Sequence, residues 1–191
     1  LGQGHRVIAS DLSAGAVARF KTELERRALQ AQARVDDMRT LAGAEPTSAA
    51  AVIACDNSVP HLLSDTGIEQ AFASFRRVLK PGGWMVISVC DYASIERKNP
   101  DVRPYGLRRD GDRRFLAVQV WEWDADQYDL RLYLTVDSGD TCETRVLTTR
   151  YYAVSIQRLM QLMSAAGFVD IQRRDDVLFQ PVLVGRRPDV A

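Results

Sequence analysis

Four short polar clusters, three of them directly behind an apolar run and one leading into one, mark where this chain can do chemistry. The first is Asp11, which closes Arg6-Val7-Ile8-Ala9-Ser10. A carboxylate at the end of a buried strand can accept hydrogen bonds from ribose hydroxyls. A solvated acid capping the next helix is the plainer alternative. The second is Asp36-Asp37-Met38-Arg39, where a carboxylate and the next backbone N–H can meet an adenine edge, or simply turn the chain. The third is Cys55-Asp56-Asn57-Ser58-Val59-Pro60-His61-Leu62. Small polar residues there can line a cleft, because ligands in open parallel sheets bind at the carboxyl ends of strands. His61 also reads as an ordinary loop histidine. The fourth is Phe75-Arg76-Arg77-Val78-Leu79-Lys80-Pro81-Gly82-Gly83, taken alone an ordinary helix stop before the apolar run from Trp84 to Val89.

These clusters need a frame of strands and helices. Residues 6–11, 33–36, 50–55 and 84–89 read as short buried strands. Residues 13–30 form a helix capped by Ser13, with Val17, Phe20, Leu24 and Leu29 roughly on one face. A second helix opens at Asp65 or Thr66 and carries Ile68, Phe72, Phe75, Val78 and Leu79 inward. Apolar strands alternating with amphipathic helices indicate an α/β fold with a parallel sheet. The pattern then changes. Residues 99–111 are polar and irregular, and residues 115–123, 129–136 and 142–152 read as three strands joined by short turns, an antiparallel insert. Ser155 caps a last helix ended by Gly167, and residues 168–174 and 177–187 close as strands, with Pro181 at a bulge or edge. Nothing separates two domains, so residues 1–191 read as one.

Composition narrows the function classes. Lys+Arg and Asp+Glu number 25 each, which argues against a broad nucleic-acid footprint or an anionic membrane surface as partner. No apolar run approaches the roughly 20 residues of a membrane span. Cys55, Cys90 and Cys142 are odd in number and widely spaced, so neither a disulfide framework nor a metal site is expected, and a reducing cytoplasm is the natural setting. A homo-oligomer is compatible with all of this.

In this order and spacing the four clusters resemble the class I S-adenosylmethionine (SAM) methyltransferases. "VIASDLS", "VDDMRTL", "VIACDNSVPHLL" and "FRRVLKPGGWMVIS" match that family's successive motifs, and "SIQRLMQLMSAAGFVDIQ" looks like its C-terminal end. The resemblance implies a Rossmann-like, mostly parallel sheet with flanking helices and a three-stranded antiparallel insert. It implies SAM as cofactor and methyl transfer, on nitrogen or oxygen, to a small-molecule acceptor. Asp11 and Leu12 would hold the ribose, Asp37 and Met38 the adenine, and Cys55, Asn57 and Ser58 would flank the methionine part. Within the class, "DNSVPHLL" and the insert look like the glycine/sarcosine N-methyltransferase branch. That makes Asn57, His61, Cys90, Tyr92 and Tyr152 acceptor-side residues, with residues 99–152 forming that side of the pocket. Trp121, Trp123, Tyr128, Tyr133 and Tyr151 add aromatic surface there, as sheet packing or as a cation–π wall. His61, Asp56 and Tyr92 are the nearest groups to a base, and none is assigned as catalytic.

Two departures matter. That branch clamps a substrate carboxylate with an Arg where this chain has Cys90, and a thiol cannot replace a bidentate guanidinium. The family also opens with a strand, a Gly-rich loop and a helix ahead of "RVIASD", and places that strand centrally. Gly2 and Gly4 would fall at the end of that helix. Without the first strand and helix, two neighbouring strands lack a partner, and the chain's own turnover is open. An NAD-dependent oxidoreductase and a degenerate binding module without turnover are the rival readings. The resemblance therefore predicts roughly 40–60 further upstream residues, a strand–loop–helix and its lead-in. Intact-mass measurement of the natural protein tests this, and a mass placing its first residue at Leu1 would overturn it.

Overall fold

The computed structural model describes residues 4–189. The three α-helices among the described residues each begin at a serine that supplies the missing acceptor for an unpaired N–H of the first turn. Ser13 Oγ accepts from Ala16 at 3.2 Å ahead of α1 (Ala14–Arg26). Ser64 Oγ accepts from Gly67 at 3.1 Å ahead of α2 (Asp65–Val78). Ser155 Oγ accepts from Arg158 at 3.1 Å ahead of α3 (Ile156–Ala165). The expected caps Ser13 and Ser155 are as read, while the second helix starts from Ser64 rather than from Asp65 or Thr66.

The strands form three separate sheets. β1 (Ile8–Asp11) pairs in parallel with β2 (Gln32–Val35). β3 (Ala49–Ala54) pairs in parallel with β4 (Leu79–Ser88). Beyond β4 lies β10 (Val182–Arg186), antiparallel to it, and then β9 (Val169–Arg174), antiparallel to β10. The two parallel pairs are not joined: among the described residues β1 bonds only to β2, and β3 only to β4. Strand isoleucines normally lie inside, yet Ile8 and Ile53 are 43% and 68% exposed. The edges of β1 and β3 away from their partners are thus unpaired among the described residues. Gly2, expected beside Gly4, lies outside the described residues.

Residues 36–48, which connect β2 to β3, are fastened to α2. The Arg77 guanidinium of α2 donates to the carbonyls of Ala44 (2.8 Å), Thr40 (3.0 Å) and Leu41 (2.8 Å). Ser74 Oγ donates to the Met38 carbonyl at 2.5 Å. Below them lies the main core, with Ile68, Phe72 and Phe75 of α2, Met85 and Ile87 of β4, Leu159 and Met163 of α3, and Leu183 of β10.

α2 ends at Val78, as the helix-stop reading of Lys80-Pro81-Gly82-Gly83 expects, and β4 begins at once at Leu79 and runs through those four residues with a register shift against β3. Gly82 sits at φ +72, and Gly83 runs so close to β3 that a Cβ would lie 3.0 Å from the Ala50 carbonyl. The two glycines shape a bulge within the strand. Two expectations need correction. The antiparallel insert has four strands, not three: β5 (Asp101–Asp110), β6 (Arg113–Asp124), β7 (Gln127–Asp137) and β8 (Cys142–Tyr152), in that spatial order. Residues 99–111 read as irregular because β5 is charged, largely exposed and bulged between Pro104 and Gly106, which hides its period of two. Finally, β10 starts at Val182, and Val177 to Phe179 form an exposed loop. No helix among the described residues is long and apolar enough to cross a membrane.

The split sheet makes the cost of truncating an isoleucine or leucine depend on its side of the molecule. Leu183→Ala, at 0% exposure, is expected to cost about 2–5 kcal/mol in urea unfolding. Ile53→Ala on the unpaired edge should cost less than about 1 kcal/mol.

Candidate functional site

The chain leaves β3 through Cys55 into two left-handed residues, Asp56 (φ 58) and Asn57 (φ 59). Asp and Asn tolerate that conformation better than most side chains. Their N–H groups end on β4: Asp56 donates to Ser88 Oγ at 2.8 Å, and Asn57 to the Ser88 carbonyl at 3.0 Å. The buried Asn57 amide then bridges onward. Its Oδ1 accepts from the Cys90 N–H at 3.0 Å, and its Nδ2 donates to the Tyr92 hydroxyl at 2.6 Å. A backbone N–H can only donate, so the Cys90 bond settles which end of the amide is which. The Tyr92 hydroxyl lies 3.1 Å from that of Tyr128 on β7. Two phenols sharing one hydrogen bond leave one O–H free to donate elsewhere.

Planar groups from successive strands stack beside this network. The Arg103 guanidinium of β5 lies 3.9 Å over the Trp121 ring of β6. Trp121 stacks on Tyr128 of β7 at 4.4 Å, and Tyr128 on Tyr151 of β8 at 5.2 Å. His61 closes the row, 4.0 Å from Tyr151, with Nδ1 3.2 Å from Thr149 Oγ1. The ring faces are largely spent on one another, which favours sheet packing over a cation–π wall. Arg103 is neutralised by Asp101, whose Oδ2 accepts from Nε at 2.9 Å and Nη2 at 2.7 Å.

Burial sets the protonation states. Desolvation pushes the Tyr92 phenol up to about 12 against the opposing bonds from Asn57 and Tyr128, and it pushes Tyr128 further up. The Cys90 thiol is also raised by burial, so it is no thiolate. His61 is lowered by burial, with the Asp11 carboxylate pulling the other way. The site therefore offers neutral hydroxyls, a neutral thiol and a neutral imidazole at pH 7.

The residues expected to hold the cofactor fall as follows. Asp11 Oδ1 accepts from the Ser13 N–H at 2.7 Å, and its Oδ2 has no partner among the described residues. Leu12 beside it is exposed. Asp37 is held by Arg39 through Oδ1 and Oδ2, and that guanidinium keeps its carboxyl below the usual carboxylate range. Asp36 instead caps the following loop, accepting from the N–H groups of Ala42 and Gly43. The Met38 side chain packs against the core. Ser58 Oγ is buried with no partner, a polar atom that a ligand could satisfy. Asp11 and Ser58 thus fit a nucleoside-bearing cofactor, while no Gly-rich backbone cradle stands among the described residues.

Tyr152, expected on the acceptor side, lies off the aromatic row. Neighbours along a strand face opposite ways, so Tyr152 turns from the aromatic row and donates to Asp65 Oδ1 at 3.0 Å, while Tyr151 faces the row. Cys90 and Tyr92 do join the cluster, together with Asn57, and His61 reaches its edge through Tyr151. Ser88 and Arg103 were missed. The Ser88 role follows from its place at the end of a buried strand, while Arg103 had no sequence signal because β5 was not legible as a strand.

Comparison with known proteins points one way. Residues 1–83 match the family model described as a methyltransferase domain. No curated protein matches the chain in sequence. The SAM-bound amino pentose methyltransferase CalS10 of Micromonospora echinaspora superposes with a TM-score of 0.80 at 17% identity, over 95% of this chain and 74% of that one. DesVI of Streptomyces venezuelae gives 0.78 at 20%, over 95% and 73%. The sugar N-methyltransferase KedS8 of Streptoalloteichus sp ATCC 53650 gives 0.76 at 15%, over 95% and 70%.

The raised phenol has a consequence for stability. Between the ordinary 10.0 and about 12, the unfolded chain has released the Tyr92 proton and the folded chain retains it. The folded state then binds more protons, so stability falls as pH rises through that window and the contribution is fully present below it. The urea midpoint is expected to drop between pH 10 and 12, and Tyr92→Phe should flatten the drop.

Proposed function

We propose that this chain is a SAM-dependent methyltransferase, a reading supported by the methyltransferase-domain match over residues 1–83 and by the shared fold, and that it methylates an amine on a small, uncharged, hydroxyl-bearing acceptor such as an amino sugar. The observation that carries this reading is the neutral network at the carboxyl ends of β3 and β4, Asn57–Tyr92–Tyr128, which retains one free phenolic donor. SAM, when bound, supplies a methyl group already activated by its sulfonium charge. Asp11 would hold its ribose through the carboxylate oxygen left free by Ser13, and the partnerless Ser58 hydroxyl, with the turn of Cys55 and Asn57, would offer it a further polar contact. Residues 99–152 form the acceptor wall of a single domain.

Charge and protonation select the acceptor. A neutral amine needs orientation and a dry site more than a strong base. A hydroxyl acceptor would need a base, and the phenols cannot serve, since burial holds them protonated. His61 is neutral and can take the proton released once the amine has been methylated. A carboxylate-bearing acceptor finds no clamp: Cys90 is a thiol and Arg103 is already paired with Asp101. Amino sugars also agree with what CalS10 and KedS8 are described as methylating.

A binding module without turnover is the second reading, favoured by the unpaired edges of β1 and β3. Labelled-methyl transfer separates the two. The natural full-length protein should transfer label from SAM to at least one amino sugar, and Tyr92→Phe should lower kcat/KM about tenfold or more, the worth of one buried hydrogen bond. Asp11→Ala should weaken SAM binding in calorimetry about tenfold. Tight SAM binding with no label on any amine would overturn the enzymatic reading.

A further inference from the structure

The insert sheet extends well past the aromatic row. Residues 142–148 of β8 are all exposed, on an edge that has no strand beside it among the described residues. Val146 is 46% and Leu147 55% exposed, and they lie on opposite faces of the strand. Next to this edge the sheet curls into an open trough of about 650 Å³, lined by Phe115, Leu134 and Val136 and rimmed by Glu143 and Arg145. A long exposed edge of this kind, with its backbone groups unpaired, is a template for pairing and is usually blunted or covered.

We propose that a second copy of this chain covers it, through antiparallel pairing of β8 with β8 of the partner about a twofold axis at Thr144. The argument is one of charge and register. Cross-strand partners place like charges opposite one another at a cost and opposite charges at a gain. An axis at Glu143 sets Glu143 against its own copy, and an axis at Arg145 sets Arg145 against its own copy. An axis at Thr144 sets each Glu143 opposite an Arg145 twice over, Thr144 opposite Thr144, and Cys142 opposite Val146. A shift by one residue removes the charge pairing and turns the faces over. The pattern Glu-Thr-Arg is thus self-complementary in a single register, as a twofold interface requires. In the single chain Glu143 and Arg145 meet each other at 3.2 Å with side chains 71% and 79% exposed, a contact worth little in water. Pairing extends the sheet from four strands to eight and joins the two apolar troughs across the axis.

The inference is independent of the methyl acceptor. Its test is light scattering after size exclusion, across a micromolar dilution series of the full chain. The wild type should run at twice the chain mass. Glu143→Arg places two arginines opposite each other at both ends, and Arg145→Glu places two glutamates, so each variant alone should dissociate more than about tenfold more readily. Mixed, the two variants should re-form a dimer, since each heterotypic contact is then Arg against Glu. That recovery also shows both variants to be folded. A monomeric wild type overturns the proposal. So does a dimer that neither change weakens, which places the interface elsewhere, or a mixture that stays monomeric.

Discussion

One buried amide, that of Asn57, joins the parts of the molecule that make a site. Its Oδ1 fixes the backbone at Cys90, its Nδ2 fixes the Tyr92 hydroxyl, and its own backbone is tied to Ser88. Through Tyr92 and Tyr128 the insert sheet is registered against the carboxyl ends of β3 and β4. A buried amide is costly to leave unpaired, so the left-handed turn at Asp56 and Asn57 is stabilised by the bonds it permits. The aromatic row depends on the same anchor, because Tyr128 is both a member of the stack and the end of the hydrogen-bond chain.

A second constraint works in the opposite sense. The parallel strands form two separate pairs, β1 with β2 and β3 with β4, and residues 36–48, which connect them, are fastened to α2. Arg77 does much of this through three carbonyl bonds, which a planar guanidinium can make at once and an ammonium cannot match in geometry. The consequence is an uneven molecule. The insert sheet and the core under α2 and α3 are fully built, whereas β1 and β2 form a two-stranded sheet with exposed edges.

The electrostatics of the site follow from its burial. Phenols, thiol and imidazole are each driven toward their neutral forms, and the nearby guanidinium is already paired. A site of this kind binds through directed hydrogen bonds and shape rather than through net charge, in keeping with a chain whose formal charges cancel.

The positions of Asp11, Asn57 and Tyr92, the serine caps of α1 and α3, and the α/β class were legible because each rests on local chemistry. A strand end is followed by its polar residue, a helix start by its cap, and a buried strand is written as a run of apolar residues. What the tertiary structure alone decided depends on register and on contacts far apart in sequence. β5 is invisible locally because a bulge breaks its alternation. Tyr151 and Tyr152 differ by one position, and only the pairing of β8 with β7 decides which faces His61 and which faces Asp65. Arg77, Ser88 and Arg103 matter through partners tens of residues away or, for Arg103, through a strand the sequence concealed. Local patterns report what a segment can form, whereas the partner of a side chain is set by the packing of the whole.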